Sequence, residues 1–120
     1  MAHIIIIDDE YHIRQFYKEE MTDNGHEVTL AGNAQEALEQ IKSGKFDVAI
    51  LDIKLGDTNG LDLLRHIHQQ DPELPVILCT AYDSFREDDQ AVIATDYVVK
   101  SSDLTKLKKT ISRILSKSVD

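Results

Sequence analysis

Residues 49–60 read AILDIKLGDTNG. An apolar run reaches an aspartate at position 52 and opens into a loop bounded by Gly56 and Gly60. A buried, unpaired carboxylate costs free energy, so a strand that ends on Asp52 needs water, a partner or a chemical task for that side chain. The run Val48–Leu51 is aliphatic throughout and shows no alternation. A strand of that kind is expected to be covered on both faces, as in a parallel sheet.

Four further runs match it: Ile4–Ile7, Val28–Ala31, Val76–Thr80 and Tyr97–Val99. Helix-period segments lie between them. Ile13, Phe16, Tyr17 and Met21 mark the first stripe, and Gly25 follows where the helix would stop. Asn33 with Glu36 predicts a capping box for a second helix carrying Ala37, Leu38 and Ile41, ended by Gly44. Leu61, Leu64 and Ile67 mark the third, which stops before Pro72. A short, weakly patterned segment from Ser84 to Ile93 is the fourth. Ser102 is the expected cap of the last, with Leu104, Leu107, Ile111, Ile114 and Leu115 on one side. Strict alternation with short connections predicts an α/β domain with helices on both faces of a parallel sheet. No repeat or linker interrupts it, so residues 1–120 read as a single domain with no output domain attached.

The chain has 120 residues, enough for one proper core, and a net charge of −9. Lys106, Lys108 and Lys109 form its late basic group and read as a solvated helix face. Direct nucleic-acid binding is not expected, because phosphate affinity needs a basic footprint. Such acidity suits a cation site or a basic protein partner. The lone Cys79 lies in an apolar run and reads as a core thiol in a reducing compartment. Without a signal-peptide pattern or a membrane span in the sequence, the expected location is the cytoplasm.

In an open doubly wound sheet, ligands bind beyond the carboxyl ends of the strands. Asp8, Asp9 and Glu10 follow the first run; Asp52 closes the third, Thr80 the fourth and Lys100 the fifth. Carboxylates brought together repel by about 4 kcal/mol per pair at ~4 Å and an effective dielectric of ~20. A hard divalent cation relieves that repulsion, and a shallow site with few protein ligands favours Mg2+. With Lys100 and Thr80 opposite the metal, the set is built for a dianionic phosphoryl group, and Asp52 is placed as its nucleophile. The five histidines lack ligand spacing: His66 and His68 are two apart on a helix, and His3, His12 and His26 have no companions.

Asp8–Asp9, Asp52, Thr80-Ala81 and Lys100, each at a strand end, resemble the receiver domain of two-component response regulators over essentially the whole chain. The resemblance implies a flavodoxin-like (βα)5 fold with strand order 2-1-3-4-5. It implies that Asp52 is the phosphoacceptor, Asp9 a direct Mg2+ ligand, Asp8 a ligand mostly through water, and the Lys54 backbone carbonyl the third protein ligand. Thr80 and Lys100 would contact the phosphoryl group, and Tyr97 would be the aromatic switch residue. The implied partners are a sensor histidine kinase or phosphotransfer protein and an output domain or downstream protein. Lys54 and Tyr82, two residues past Asp52 and Thr80, are bulky, and the expectation is that they obstruct attacking water and slow self-dephosphorylation.

Three departures stand out. Ser101 occupies the position where most receivers carry proline after a cis bond, and a cis bond before a non-proline residue costs about 3 kcal/mol. The stretch between Thr80 and Tyr97 is short, and Gly56–Gly60 replaces a Pro-containing loop. The competing readings fit less well. A small Mg2+-dependent phosphatase with Asp52 as nucleophile would want an acid at position 54, which is lysine. A flavodoxin-like cofactor binder would want a Ser/Thr/Gly phosphate loop where Asp8, Asp9 and Glu10 stand. A pseudo-receiver would not need the complete acid, threonine and lysine set.

Overall fold

The computed structural model describes residues 2–81, 91–101 and 103–117. In chain order these form β1 (His3–Ile7), α1 (Tyr11–Asp23), β2 (Glu27–Ala31), α2 (Ala34–Ser43), β3 (Val48–Leu51), β4 (Lys54–Leu55) and β5 (Thr58–Asn59). They continue with α3 (Gly60–Gln70), β6 (Val76–Thr80), a 3-10 turn at Ala91–Ile93, β7 (Asp96–Val99) and α4 (Thr105–Lys117). Five strands pair in the order β2-β1-β3-β6-β7, every pair parallel. Counted over these strands, this is the expected 2-1-3-4-5 order.

The reason the central runs are uniformly apolar is visible in how their side chains divide. Ile5, Ile7, Ala49 and Leu51 pack with Leu61, Leu64 and Ile67 of α3 and with Ala37 and Ile41 of α2. Ile4, Ile6, Val48 and Ile50 pack on the opposite face with Tyr17 and Met21 of α1 and with Leu107, Ile111 and Ile114 of α4. Successive residues of a strand serve opposite faces, so two hydrophobic layers erase the alternation that one layer would leave. Each fully buried isoleucine contributes roughly 2 kcal/mol of burial free energy.

The helix ends follow local chemistry. Gly25, with φ +88°, lies just beyond α1 in a conformation that only glycine adopts cheaply. Asn33 accepts from the Glu36 amide at 2.9 Å. The return bond expected of Glu36 goes one residue earlier, to the Gly32 amide at 2.8 Å. Asn59 caps α3 by accepting from the Leu61 amide. Phe16, expected on the buried stripe of α1, is 38 % exposed, while Tyr17 and Met21 carry that face. The expected fourth helix falls mostly outside the described residues, as does Ser102, and its final three residues form the 3-10 turn.

The β4–β5 ribbon was not expected from sequence. Lys54 pairs with Asn59 and Leu55 with Thr58, around a two-residue turn whose Gly56 has φ +61°. Strands of two residues carry no period to read. Among the described residues, no helix is long and apolar enough to cross a membrane.

Candidate functional site

The strand ends place the acids. The Asp8 amide donates to the Ala31 carbonyl at 3.1 Å, and the Asp52 amide donates to the Ile7 carbonyl at 3.1 Å. Each residue therefore continues its strand by one ladder bond before its side chain turns to the sheet edge. Both are buried, Asp8 at 3 % and Asp52 at 5 % exposure.

Their shared partner is Lys100. Its Nζ lies 2.8 Å from Asp8 Oδ2 and 2.9 Å from Asp52 Oδ2, and its amide donates to the Thr80 carbonyl at 2.7 Å. Asp52 thus ends a buried strand on an ion pair. The remaining carboxylate oxygens are also engaged. Asp8 Oδ1 accepts from the Glu10 amide at 2.9 Å, and Asp52 Oδ1 accepts from the Lys54 amide at 3.2 Å.

One ammonium between two buried carboxylates sets the electrostatics. Burial raises the Asp8 pKa above its ordinary value, and the bonds from Lys100 and the Glu10 amide offset this only in part. For Lys100, burial alone would lower the pKa, but hydrogen bonds to Asp8 and Asp52 outweigh it and the net shift is upward. The asymmetry has a simple origin: the lysine has two counter-charges, whereas Asp8 has only a share in one.

Asp9 and Glu10 are exposed at the mouth, with Glu10 Oε1 4.0 Å from Lys100 Nζ. Oxygen atoms of Asp8, Asp9, Glu10 and Asp52 all lie within 4.8 Å of one another, the one such metal-competent group among the described residues. The histidines take no part in such a group. Thr80, at the end of β6, is fully buried, and its Oγ1 has no hydrogen-bond partner among the described residues.

Gly60 lets α3 begin against this site. A Cβ there would stand 2.2 Å from the Asp52 carbonyl oxygen and 2.6 Å from Ile53 Cα, so any larger residue must push the helix or the acceptor loop away. Tyr97 is 7 % exposed and packs in the layer that includes Leu78 and α3. Lys54 is exposed and opens the β4–β5 ribbon. Tyr82, proposed from sequence to flank the pocket, lies outside the described residues. Among those described, no peptide bond is cis, which includes Lys100–Ser101. A separate groove of about 410 Å3, lined by residues including Tyr17, Cys79, Ser101 and Leu104, meets the acidic cluster only at Lys100.

Sequence reasoning missed Arg14. Its Nη1 donates to the Asp8 carbonyl at 2.7 Å. The signal was its place one turn beyond Glu10, whose carbonyl accepts from the Arg14 amide.

A family model described as the response regulator receiver domain matches residues 4–112. The structure is similar to the crystal structure of response regulator protein TrrA from Thermotoga maritima in complex with Mg2+-BeF. The TM-score is 0.92 at 37% identity, covering 95% of this chain and 99% of that one. TrrA in complex with histidine kinase ThkA gives 0.90 at 37% identity, with 96% and 99% covered. Among curated proteins, the transcriptional regulatory protein YkoG of Bacillus subtilis is 33% identical over 116 residues, 95% of this chain and 51% of YkoG. ZraR of Klebsiella oxytoca is 31% identical over 115 residues, 94% of this chain and 26% of ZraR. The chain thus spans between a quarter and about half of these curated relatives.

Proposed function

This chain belongs to the response regulator receiver domain family, a signalling domain, and from that premise we propose that Asp52 accepts a phosphoryl group with Mg2+ as cofactor. The donor proposed is the phosphohistidine of a sensor histidine kinase or phosphotransfer protein. The observation that carries this reading is the convergence of the buried Asp8 and Asp52 on one partly buried ammonium, next to two exposed acids. The crystal structures of TrrA with Mg2+-BeF and with a histidine kinase support the cofactor and the partner class.

The donor set fits the cation. It consists of hard carboxylate oxygens within 4.8 Å of one another, partly open to water, as Mg2+ prefers. Asp9 and Asp52 would hold it directly, Asp8 mostly through water, and the Lys54 carbonyl would complete the protein ligands. When bound, the cation supplies charge neutralisation at the phosphoryl oxygens.

The chain's own groups do the rest. An Asp52 oxygen forms the new bond to phosphorus while the P–N bond to the donor imidazole breaks, and the electron pair departs with the imidazole. Lys100 turns one N–H from Asp52 to a phosphoryl oxygen, a short move because it already touches the carboxylate. Thr80 donates its hydroxyl to another oxygen, which gives that buried group its partner. Its movement vacates space for Tyr97, and this population shift is the signal passed to an output domain or downstream partner. A cytoplasmic site of action accords with the single buried thiol, Cys79.

The phosphatase reading is not favoured, since Lys54 stands where its second acid would be. Incubation with a small phosphodonor and Mg2+ tests the proposal through intact mass. Wild type gains one hydroxylamine-labile phosphate and Asp52→Ala gains none. A wild type that stays unmodified, or an Asp52→Ala variant that is labelled equally, defeats it.

A further inference from the structure

We propose that Arg14 is a positioning residue of the cation site, acting through the backbone of Asp8; this rests on reading Asp8 and Asp9 as the acids that serve Mg2+. The Arg14 side chain is half-buried on α1, and its Nη1 donates to the Asp8 carbonyl at 2.7 Å. The Asp8 amide is held by Ala31 at the end of the β1–β2 ladder. Arg14 therefore fixes the other end of the same residue. The carbonyl of Asp8 is coplanar with the amide and Cα of Asp9, so the direction in which Asp9 leaves the strand is set by where that carbonyl points.

Two neighbours lie close to the guanidinium. Its Cζ is 5.8 Å from the centre of the Tyr11 ring. A Cβ at Gly32 would stand 3.0 Å from Nη1 and 3.4 Å from Cζ. Glu36 Oε1, bonded to the Gly32 amide at 2.8 Å, lies 3.4 Å from the same point. Glycine at 32 makes room for the arginine. Charge alone predicts the opposite of this role, because a nearby cation weakens the binding of another cation. The sign of the effect on metal affinity therefore separates the two.

The test uses MgCl2 titration followed by amide chemical shifts of Asp9 and Glu10, with amide exchange of Glu10 measured without metal. Removing a group that orients a ligand weakens metal binding about tenfold, and that loss is expected for Arg14→Gln, with partial recovery in Arg14→Lys. Gly32→Ala, which keeps every charge and crowds the guanidinium, weakens binding in the same direction. In metal-free Arg14→Gln, the Glu10 amide, bonded to Asp8 Oδ1 in the wild type, exchanges faster. Unchanged or tighter Mg2+ binding in folded Arg14→Gln overturns the proposal, as does unaltered Glu10 exchange. A wild type that does not respond to Mg2+ overturns instead the reading of the site, and Glu10 exchange then decides the role of Arg14 by itself.

Discussion

Thr80 and Lys100 are joined by a backbone bond, the Lys100 amide donating to the Thr80 carbonyl at 2.7 Å, yet their side chains fare differently. The lysine ammonium is shared by two carboxylates, while the threonine hydroxyl is buried without a partner among the described residues. One group is satisfied at rest and the other is not.

Thr80→Val removes the unsatisfied hydroxyl while keeping the shape. The resting protein gains about 1 kcal/mol, the cost of a buried polar group left unpaired, and loses the conformational response to phosphorylation. Urea titration with and without a phosphoryl mimic checks both. A destabilised Thr80→Val would mean that the hydroxyl is bonded in solution.

Lys100→Ala leaves Asp8 and Asp52 buried with no ammonium between them. Breaking a buried pair on one side costs about 3 kcal/mol, seen as a lower urea midpoint at neutral pH. Adding Mg2+ returns part of it, because the carboxylates regain a counter-charge. A loss that Mg2+ leaves untouched counts against the shared-cation geometry.

Asp8 has a raised pKa, chiefly from burial, so its ionisation opposes folding. The contribution of its protonated form is complete below the ordinary carboxylate pKa and is lost as pH rises through the raised value. Asp8→Asn is accordingly more stable than wild type at neutral pH in metal-free buffer, and the difference vanishes near pH ~3, where both forms are neutral. Thermal melts across pH, read as the difference between the two proteins, decide it. A gain that persists at low pH would assign the effect to packing.

Cys79 is 2 % exposed, and burial pushes its thiol pKa up from 9.0 to about 11. Since the thiolate is the reactive form, iodoacetamide at pH ~8 labels the native protein at least ~100-fold more slowly than the urea-unfolded chain. The raised pKa adds stability that is fully present below pH 9.0 and declines as pH climbs through about 11. Rapid labelling of the folded protein would show that the α1–α4 side opens.

Lys54→Ala combined with Tyr82→Ala tests the expectation from sequence that these two bulky residues obstruct water on its way to Asp52. The phosphoryl group then decays faster, by about tenfold if in-line access limits water attack, measured by loss of the intact-mass shift with time. An unchanged decay rate places the barrier elsewhere.

The amino-acid sequence determined the parallel sheet, its five runs and the acids at their ends. Those signals are local: Ile4–Ile7 and Val48–Leu51 declare two-sided burial through composition alone, and Asn33 and Gly25 punctuate helices within a few residues of themselves. The β4–β5 ribbon escaped because each strand has two residues, and Phe16 was misplaced because an apolar residue at a stripe's edge reads like one at its centre. Only the tertiary structure decided which charges meet. Lys100 bonds a carboxylate 48 positions away, Arg14 turns back to the Asp8 carbonyl, and Gly60 is required by the backbone of Asp52. Apolar burial is non-directional and shows as periodicity along the chain, whereas ion pairs and steric fits depend on distances between strands that no stretch of sequence contains.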